Sequence, residues 1–334
     1  TRDGRLLSPA VRGVTISLTR SGGDQTHVVV EQVFARATRV MRKSSDEGDL
    51  CALLNFNCAD NEVIAGTGAG STVITTGSAF CSATIMRSDL DGIVVLTARH
   101  CMANNLETAL SQLPIARLFF DYTVPCGEDV GTQYVGLFDQ PMMQGATFLG
   151  EFEDTVALHF AGAVPDGVEV ATIGYDAREI VPVGPPFAVG YSRGGKRQYA
   201  ILGEAFSDTS VDPGPPGRTV DAWAAFMIGQ GGPAQGKSGG GFFNSDGRHV
   251  GVVSSGFDCQ GTDGLTPTLF SAKTSAAWDG GISAFLVPDA LVTDTAPYEG
   301  PTVPQAVAFP LVVQQPFPTL RVNDSITISW TSTG

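Results

Sequence analysis

The sequence predicts an all-β fold, either a sandwich or a barrel, from three observations. Short runs of β-branched and apolar residues recur along the chain and are separated by Gly, Pro and Asp turns. Stretches with helical periodicity are few. Glycine (41 of 334 residues) and proline (20) are abundant, whereas only 16% of the residues are charged, a composition that suits a chain built of strands and turns.

Residues 1–50 are predicted to be a leader or propeptide remnant that contains β-strands. Residues 14–18 and 27–30 alternate between polar and apolar types or are β-branched, which is typical of strands. A basic stretch that ends at Lys43 is followed by Asp46 and Glu47. This switch of charge predicts an exposed connector and a candidate processing site.

Residues 51–292 are predicted to form one domain of short strands. The candidate strands share an apolar or alternating pattern bounded by turn residues, and they are residues 71–76, 93–97, 118–122, 155–160, 187–191, 222–228 and 250–254. Helices are expected over residues 98–113 and, at the C-terminal end, over residues 282–292. Pro288 interrupts or repositions the second of these helices.

Residues 293–318 are predicted to be a linker, because six prolines in this stretch favour an extended, semi-rigid chain. Residues 319–334 alternate again between apolar and polar types. This pattern predicts the start of a C-terminal β-sandwich module that is truncated here.

The net charge of -14 and the pI near 4.6 limit the partners that the protein can have. A chain this acidic is a poor candidate for binding nucleic acid, because that binding depends on Lys and Arg at the phosphates. No uncharged apolar run approaches the ~18 residues that a membrane helix needs. No metal or cofactor is predicted, and the sequence does not define an oligomeric state.

Six cysteines are present, and none of them lies in a Cys-x-x-Cys pair. An even number of cysteines in a chain of this composition predicts three disulfides and an oxidising compartment. Fifteen pairings are possible on arithmetic alone. Six reduced, buried thiols are the alternative.

Three motifs carry the residue types of a nucleophilic hydrolase. His100 ends an apolar strand, and an imidazole that titrates near ~6.5 is a natural general base. Asp154 begins a strand and could orient that imidazole. Ser238, in a Gly-rich turn, becomes nucleophilic when a base takes its proton. The backbone N–H groups of Gly236 and Ser238 are the predicted oxyanion hole.

The order His, Asp, Ser is one of the known chain orders of this triad, and the motifs resemble those of the chymotrypsin-like serine proteases. Residues 97–101 are similar to the Thr-Ala-Ala-His-Cys motif of that family, and residues 235–240 to its Gln-Gly-Asp-Ser-Gly-Gly motif. Residues 253–256 resemble its substrate-binding strand. This resemblance implies two six-stranded antiparallel β-barrels with a short C-terminal helix, and a serine endopeptidase that forms an acyl-enzyme.

Within that family, residues 51–290 are most similar to the secreted bacterial lysyl endopeptidases. The shared segments include residues 80–84, 121–126, 174–178 and 194–197. The resemblance implies a secreted or cell-surface bacterial enzyme that acts on proteins or peptides. It also implies the disulfides Cys51–Cys259, Cys58–Cys126 and Cys81–Cys101.

The predicted specificity pocket departs from that branch. Gly232, six residues before Ser238, stands at the base of the pocket and carries no carboxylate. The other residues expected to bind substrate are Gln235, Ser254, Ser255, Gly256 and Thr268. A buried carboxylate makes a pocket accept Lys or Arg, so we predict a neutral pocket for a small or medium apolar side chain. Specificity for Lys is the alternative if Asp263 enters the pocket.

Two other functions stay open at this point, a catalytically silent binding or adhesion module and an esterase with the same triad. The substrate-binding strand favours peptides over esters, because extended peptides add to strand edges.

Two neighbours of the triad also carry expectations. Arg99 is expected to point outward. Lys237 replaces the Asp that many relatives pair with a new N-terminus, so activation by insertion of a new N-terminus is not expected.

Overall fold

The computed structural model describes residues 54–298 apart from positions 78, 183, 212–219, 228–236, 257–267 and 294. The predicted leader, the C-terminal module and most of the linker lie outside the described residues. The proposed domain boundaries therefore stay predictions. No helix in the described part of the chain is long and apolar enough to cross a membrane.

Strands dominate the described residues. In chain order they are β1 (Leu54–Asn55), β2 (Ser71–Thr76), β3 (Ala79–Met86), β4 (Ile93–Ala98), β5 (Arg117–Phe119), β6 (Met142–Gln144), β7 (Thr147–Phe152), β8 (Thr155–Phe160), β9 (Ala171–Thr172), β10 (Tyr175–Asp176), β11 (Phe187–Gly190), β12 (Gln198–Val211), β13 (Val220–Met227), β14 (Gly241–Phe243), β15 (His249–Gly256), β16 (Thr268–Lys273), β17 (Leu291–Val292) and β18 (Ala296–Pro297). The α-helices are short, and they are α1 (Glu62–Gly66), α2 (Leu106–Gln112) and α3 (Thr274–Asp279).

The first sheet is antiparallel and has the strand order β6-β5-β2-β3-β4-β8-β7. Its central strands β4 and β8 are buried almost throughout, which explains why they are continuous apolar runs such as Ile-Val-Val-Leu. Val95, Leu96 and Leu158 are fully buried in the core of this sheet.

The second sheet closes on itself. Strands β14, β11, β12, β13, β16 and β15 pair in that order, all antiparallel, and β15 pairs again with β14. This ring of six strands encloses its own core around Trp223, whose indole N–H donates to the carbonyl of Val250 at 3.1 Å. The predicted all-β, double-barrel architecture is confirmed, although the first sheet has seven strands rather than the six expected.

Within the described residues the strand predictions agree with the structure, except that the strand expected over residues 118–122 is Arg117–Phe119. The two helix predictions need correction. The helix expected over residues 98–113 is split into a 3₁₀ helix at Arg99–Cys101 and α2. Asn105 causes the break, because its side chain accepts the backbone N–H of Glu107 at 2.8 Å and so begins a new helix.

The short C-terminal helix is present, but it is α3 and lies before the expected residues 282–292. Only Ile282–Phe285 in that stretch is helical, as a 3₁₀ helix. Gly281, at φ 108°, separates it from α3. Leu291–Val292 is a strand that pairs with Tyr175–Asp176, because backbone groups beyond Pro288 find partners in the sheet rather than in a helix.

Two of the three predicted disulfides lie within the described residues, and both are present. Cys58 is bonded to Cys126, and Cys81 on β3 is bonded to Cys101. The second bridge closes a loop with a sequence separation of 20 residues, worth about 3 kcal/mol on the chain-entropy account. The pair Cys51–Cys259 lies outside the described residues.

Candidate active site

His100 and Asp154 are brought together by the pairing of β4 with β8. Ala98, the last residue of β4, lies opposite Thr155, the first residue of β8. The chain continues past this pair on both strands, and the N–H of Arg99 donates to the carbonyl of Asp154 at 2.8 Å. The residue after Arg99 and the side chain of Asp154 therefore meet at the same end of the sheet.

The carboxylate of Asp154 is buried, with 1% of the side chain exposed, and it is held by several donors. His100 approaches it twice: its backbone N–H donates to Oδ1 at 2.9 Å, and its ring Nδ1 lies 3.0 Å from Oδ1 and 2.8 Å from Oδ2. Ser254 donates its hydroxyl to Oδ2. These hydrogen bonds satisfy a charge that would otherwise be costly to bury.

The same contacts define the state of the His100 ring. A carboxylate only accepts hydrogen bonds, so Nδ1 carries the proton that faces Asp154. In the neutral ring the basic lone pair is then on Nε2. The His100 side chain is partly accessible to solvent, with 23% exposed. An imidazole in this tautomer, oriented by a buried carboxylate, is arranged to accept a proton at Nε2.

Ser254 reaches Asp154 because β15 has a bulge. Val253 pairs with Ser271 and Ser255 with Phe270, so Ser254 is an extra residue without its own position in the ladder. A bulge of this kind turns one side chain in a new direction. Ser254 is expected from its motif to bind substrate backbone, and nothing in the sequence indicates this contact with Asp154.

Ser238 lies in a turn that is fixed between the two barrels. Its carbonyl accepts the N–H of Ser82 on β3 at 2.8 Å, and the N–H of Gly239 donates to the carbonyl of Val253 on β15 at 2.7 Å. Val253 directly precedes Ser254, so this turn is tied to the residue that supports Asp154. Among the described residues no hydrogen bond joins Ser238 Oγ to His100, and such bonds are commonly long before substrate binds.

Gly239 lets this turn lie against the strand that leads to His100. Its φ is +82°, and a Cβ at this position would overlap the carbonyl of Ser82 and the hydroxyl of Thr97. Thr97 and Ala98 are the last residues of β4. The glycine thus brings the Ser238 turn into contact with the end of the His100 strand.

Lys237, next to Ser238, is buried, with 1% exposed. Its side chain runs along Gly190, since a Cβ on that glycine would lie 3.1 Å from Lys237 Cγ. Burial lowers the pKa of the Lys237 ammonium from 10.5 to about 7. The sequence shows Lys in place of the Asp of the family motif, but no local pattern indicates that this cation is buried.

Of the predicted substrate-binding residues, the structure describes Ser254, Ser255, Gly256 and Thr268. Gly256 is exposed and lies opposite Leu269 on β16, whereas Thr268 is buried and lies opposite Phe226 on β13. The other predicted site residues lie outside the described residues, and they are Gly232, Gln235, Gly236 and Asp263.

The prediction that Arg99 points outward is wrong. Only 4% of its side chain is exposed, and its guanidinium forms an ion pair with Glu151 on β7. No local sequence pattern indicates this partner, because Glu151 is 52 residues away and reaches Arg99 only through the β7–β8 hairpin.

Within the described residues no group of three or more His, Cys, Asp or Glu side chains could hold a metal ion.

Comparison with known proteins gives one family. The family model of the trypsin-like peptidase domain matches residues 77–252, which is more than half of the chain and includes His100, Asp154 and Ser238. No curated protein sequence matches the chain.

Solved structures that resemble the chain include forms of Rv3671c from M. tuberculosis. The active form of this protease is 16% identical, with a TM-score of 0.45 and coverage of 76% of this chain and 98% of that chain. The inactive form is 17% identical, with a TM-score of 0.45 and coverage of 70% and 98%. A serine-to-alanine mutant from strain H37Rv, also inactive, is 17% identical at the same TM-score and covers 70% and 95%.

A glycine-to-alanine comparison tests the fit of the Ser238 turn. Gly239→Ala combines a left-handed backbone with overpacking against Ser82 and Thr97, and we expect it to lower the free energy of unfolding by about 3 kcal/mol or more. Gly167→Ala is the matched control, because Gly167 has a φ of +80° but nothing within 4 Å of an added Cβ. Its cost should be only about 1–2 kcal/mol. Chemical denaturation measures both, and equal costs would contradict the packing described for Gly239.

Lys237→Met tests the burial of the cation. The unfolded chain keeps Lys237 protonated up to pH 10.5, whereas the folded protein releases this proton near pH 7. The unfolded state therefore binds more protons between these values, and stability rises with pH across them. The wild type should gain up to about 1.4 kcal/mol per pH unit more than the variant in this window. Urea denaturation from pH 7 to 10 measures the difference, and parallel curves would refute it.

Proposed function

The chain belongs to the trypsin-like peptidase family, and we propose that it is a secreted serine endopeptidase that uses His100, Asp154 and Ser238 as its catalytic triad. The observation that carries this proposal is the hydrogen bonding of His100 Nδ1 to the buried carboxylate of Asp154, beside the turn that holds Ser238. This arrangement leaves Nε2 as the basic atom of the ring.

In the proposed mechanism Ser238 Oγ attacks the carbonyl carbon of the peptide bond while its proton passes to His100 Nε2. Asp154 stabilises the resulting imidazolium through Nδ1–H. The N–H groups of Gly236 and Ser238 hold the oxyanion. His100 then gives its proton to the leaving amine, and an acyl-enzyme on Ser238 remains. Water, deprotonated by His100, hydrolyses this ester and releases the acid.

The substrate backbone is proposed to pair with residues 254–256. In the described part of the chain these residues of β15 pair only with β16, because β14 pairs with β15 no further than Val252. Among the described residues, the opposite edge of residues 254–256 therefore has no strand partner next to Asp154. An extended peptide that adds to this edge is held close to Ser238.

The specificity pocket is proposed to be neutral. Thr268, buried at the start of β16, narrows its floor, and Gly232 brings no carboxylate to its base. We therefore propose a preference for a small or medium apolar residue on the acyl side of the cleaved bond. By its motifs the chain resembles the lysyl endopeptidase branch, but its pocket does not.

Secretion is proposed from the disulfides Cys58–Cys126 and Cys81–Cys101. Disulfides persist in oxidising compartments and are reduced in most cytosols. The motif resemblance adds that the compartment is the exterior or surface of a bacterial cell.

Labelling with a fluorophosphonate tests the triad. The probe should modify the wild-type protein at Ser238, because His100 takes the proton of the attacking hydroxyl. Ser238→Ala should abolish labelling, whereas Ser111→Ala, a control at the exposed end of α2, should not. Tryptic mapping of the labelled peptide identifies the modified residue.

Two outcomes would contradict the assignment. Absence of labelling in folded wild-type protein would favour a catalytically silent binding module on the protease fold. Labelling that survives Ser238→Ala would mean that another residue is the nucleophile.

Cleavage of a peptide library tests the pocket. The wild type should cut after small or medium apolar residues, and Thr268→Gly should shift the preference towards larger side chains because it deepens the floor. Mass spectrometry of the products gives the cleavage sites. Cleavage after Lys would refute the neutral pocket, and its loss in Asp263→Asn would then identify the carboxylate responsible.

A further inference from the structure

Arg99 is a buried cation directly before the proposed base. Its guanidinium has two acceptors on different parts of the chain: Nε pairs with the carboxylate of Glu151, and Nη1 donates to the carbonyl of Ala103 at 3.0 Å. Glu151 lies on β7 and has 27% of its side chain exposed. Ala103 lies just beyond the 3₁₀ helix that carries His100.

These contacts join the two segments that hold the proposed base and its carboxylate. One segment is the turn from Arg99 to Ala103, and the other is the β7–β8 hairpin, in which Phe152 pairs with Thr155 and the turn contains Asp154. Main-chain bonding already connects the segments at one point, the N–H of Arg99 to the carbonyl of Asp154. The bonds of His100 to Asp154 lie close to this point, and the guanidinium adds a separate connection at Glu151 that further limits how the segments can pivot.

A contribution to stability alone does not account for a charged pair at this place. Moving a guanidinium out of water costs several kcal/mol, and apolar residues of similar volume are often as stable as a buried ion pair. What a forked, planar donor provides in addition is direction, because its hydrogen bonds hold only in one geometry. Direction matters here because a misplacement of about 1 Å in a catalytic group can cost up to about 100-fold in rate.

We propose that the Arg99–Glu151 ion pair is a positioning device that sets the angle between His100 and Asp154. This inference rests on the proposed triad mechanism. Neither Arg99 nor Glu151 touches the substrate, and both act through the orientation of the imidazole. Removal of the pair should therefore lower kcat and leave KM unchanged.

The test compares the wild type with the double variant Arg99→Met/Glu151→Leu, which replaces both charges by apolar groups. With turnover expressed per active site titrated by the fluorophosphonate, we expect kcat to fall about 10-fold with KM unchanged. The thermal midpoint should stay close to that of the wild type. Arg99→Lys should give an intermediate kcat, because an ammonium is a point charge that does not hold both acceptors in the geometry of the guanidinium fork.

A spectroscopic signal reports the positioning directly. The proton between His100 Nδ1 and Asp154 gives a far-downfield ¹H resonance, which should move upfield or broaden in the double variant. Asp176→Asn is the matched control, because it breaks the ion pair of Arg178 with Asp176, whose two hydrogen bonds are 2.8 and 2.7 Å long. This control should leave kcat and the resonance unchanged.

The outcomes separate the two proposals. If the wild type is not labelled at Ser238, the proposed function fails. If the wild type is labelled but the double variant has wild-type kcat per titrated site and an unchanged resonance, only the positioning role is refuted. If the double variant does not fold, wild-type kcat and an unchanged resonance in Arg99→Lys refute it instead.

Discussion

The register between β4 and β8 is the constraint on which the rest of the site depends. With Ala98 opposite Thr155, the residues that follow one strand and precede the other meet at the same end of the first sheet. A slip of one residue would turn every side chain of β8 to the other face of the sheet. The almost complete burial of both strands opposes such a slip, because it would exchange side chains between two faces that are each closely packed. The geometry of His100 and Asp154 is thus a consequence of core packing in the first barrel.

The second barrel contributes Ser254 and part of the support of the Ser238 turn, and both lie against the end of the β4–β8 pair. Ser254 reaches Asp154 only because β15 has a bulge, and the turn of Ser238 is hydrogen-bonded to β3 on one side and to β15 on the other. Gly239 then allows the turn to touch the end of β4. Neither barrel forms the described site alone, and the disulfide Cys81–Cys101 ties the His100 turn to β3, the strand that also holds the Ser238 carbonyl.

The sequence was sufficient for features that are local or periodic. The buried strands were predictable because continuous apolar runs between turn residues have few other interpretations, and the candidate triad followed from motifs of adjacent residues. The missed features depend on distant partners. The burial of Arg99 requires Glu151, and the role of Ser254 requires an unpaired position in a ladder, which no local pattern marks. The C-terminal helix lies earlier in the chain than the sequence pattern indicates, because Leu291–Val292 pairs in the sheet instead of forming a helix.

Buried charge is concentrated around the site in a chain that has few charged residues. Among the described residues the buried charged side chains are Arg99, Asp154, Arg197, Lys237 and Lys273. Three of these belong to the proposed triad or directly precede one of its members, since Arg99 precedes His100 and Lys237 precedes Ser238. Burying a charge costs free energy that an apolar residue would not. A buried charge with directional partners, however, allows fewer arrangements than an apolar contact. The residues around the proposed triad therefore favour a single geometry over maximum stability.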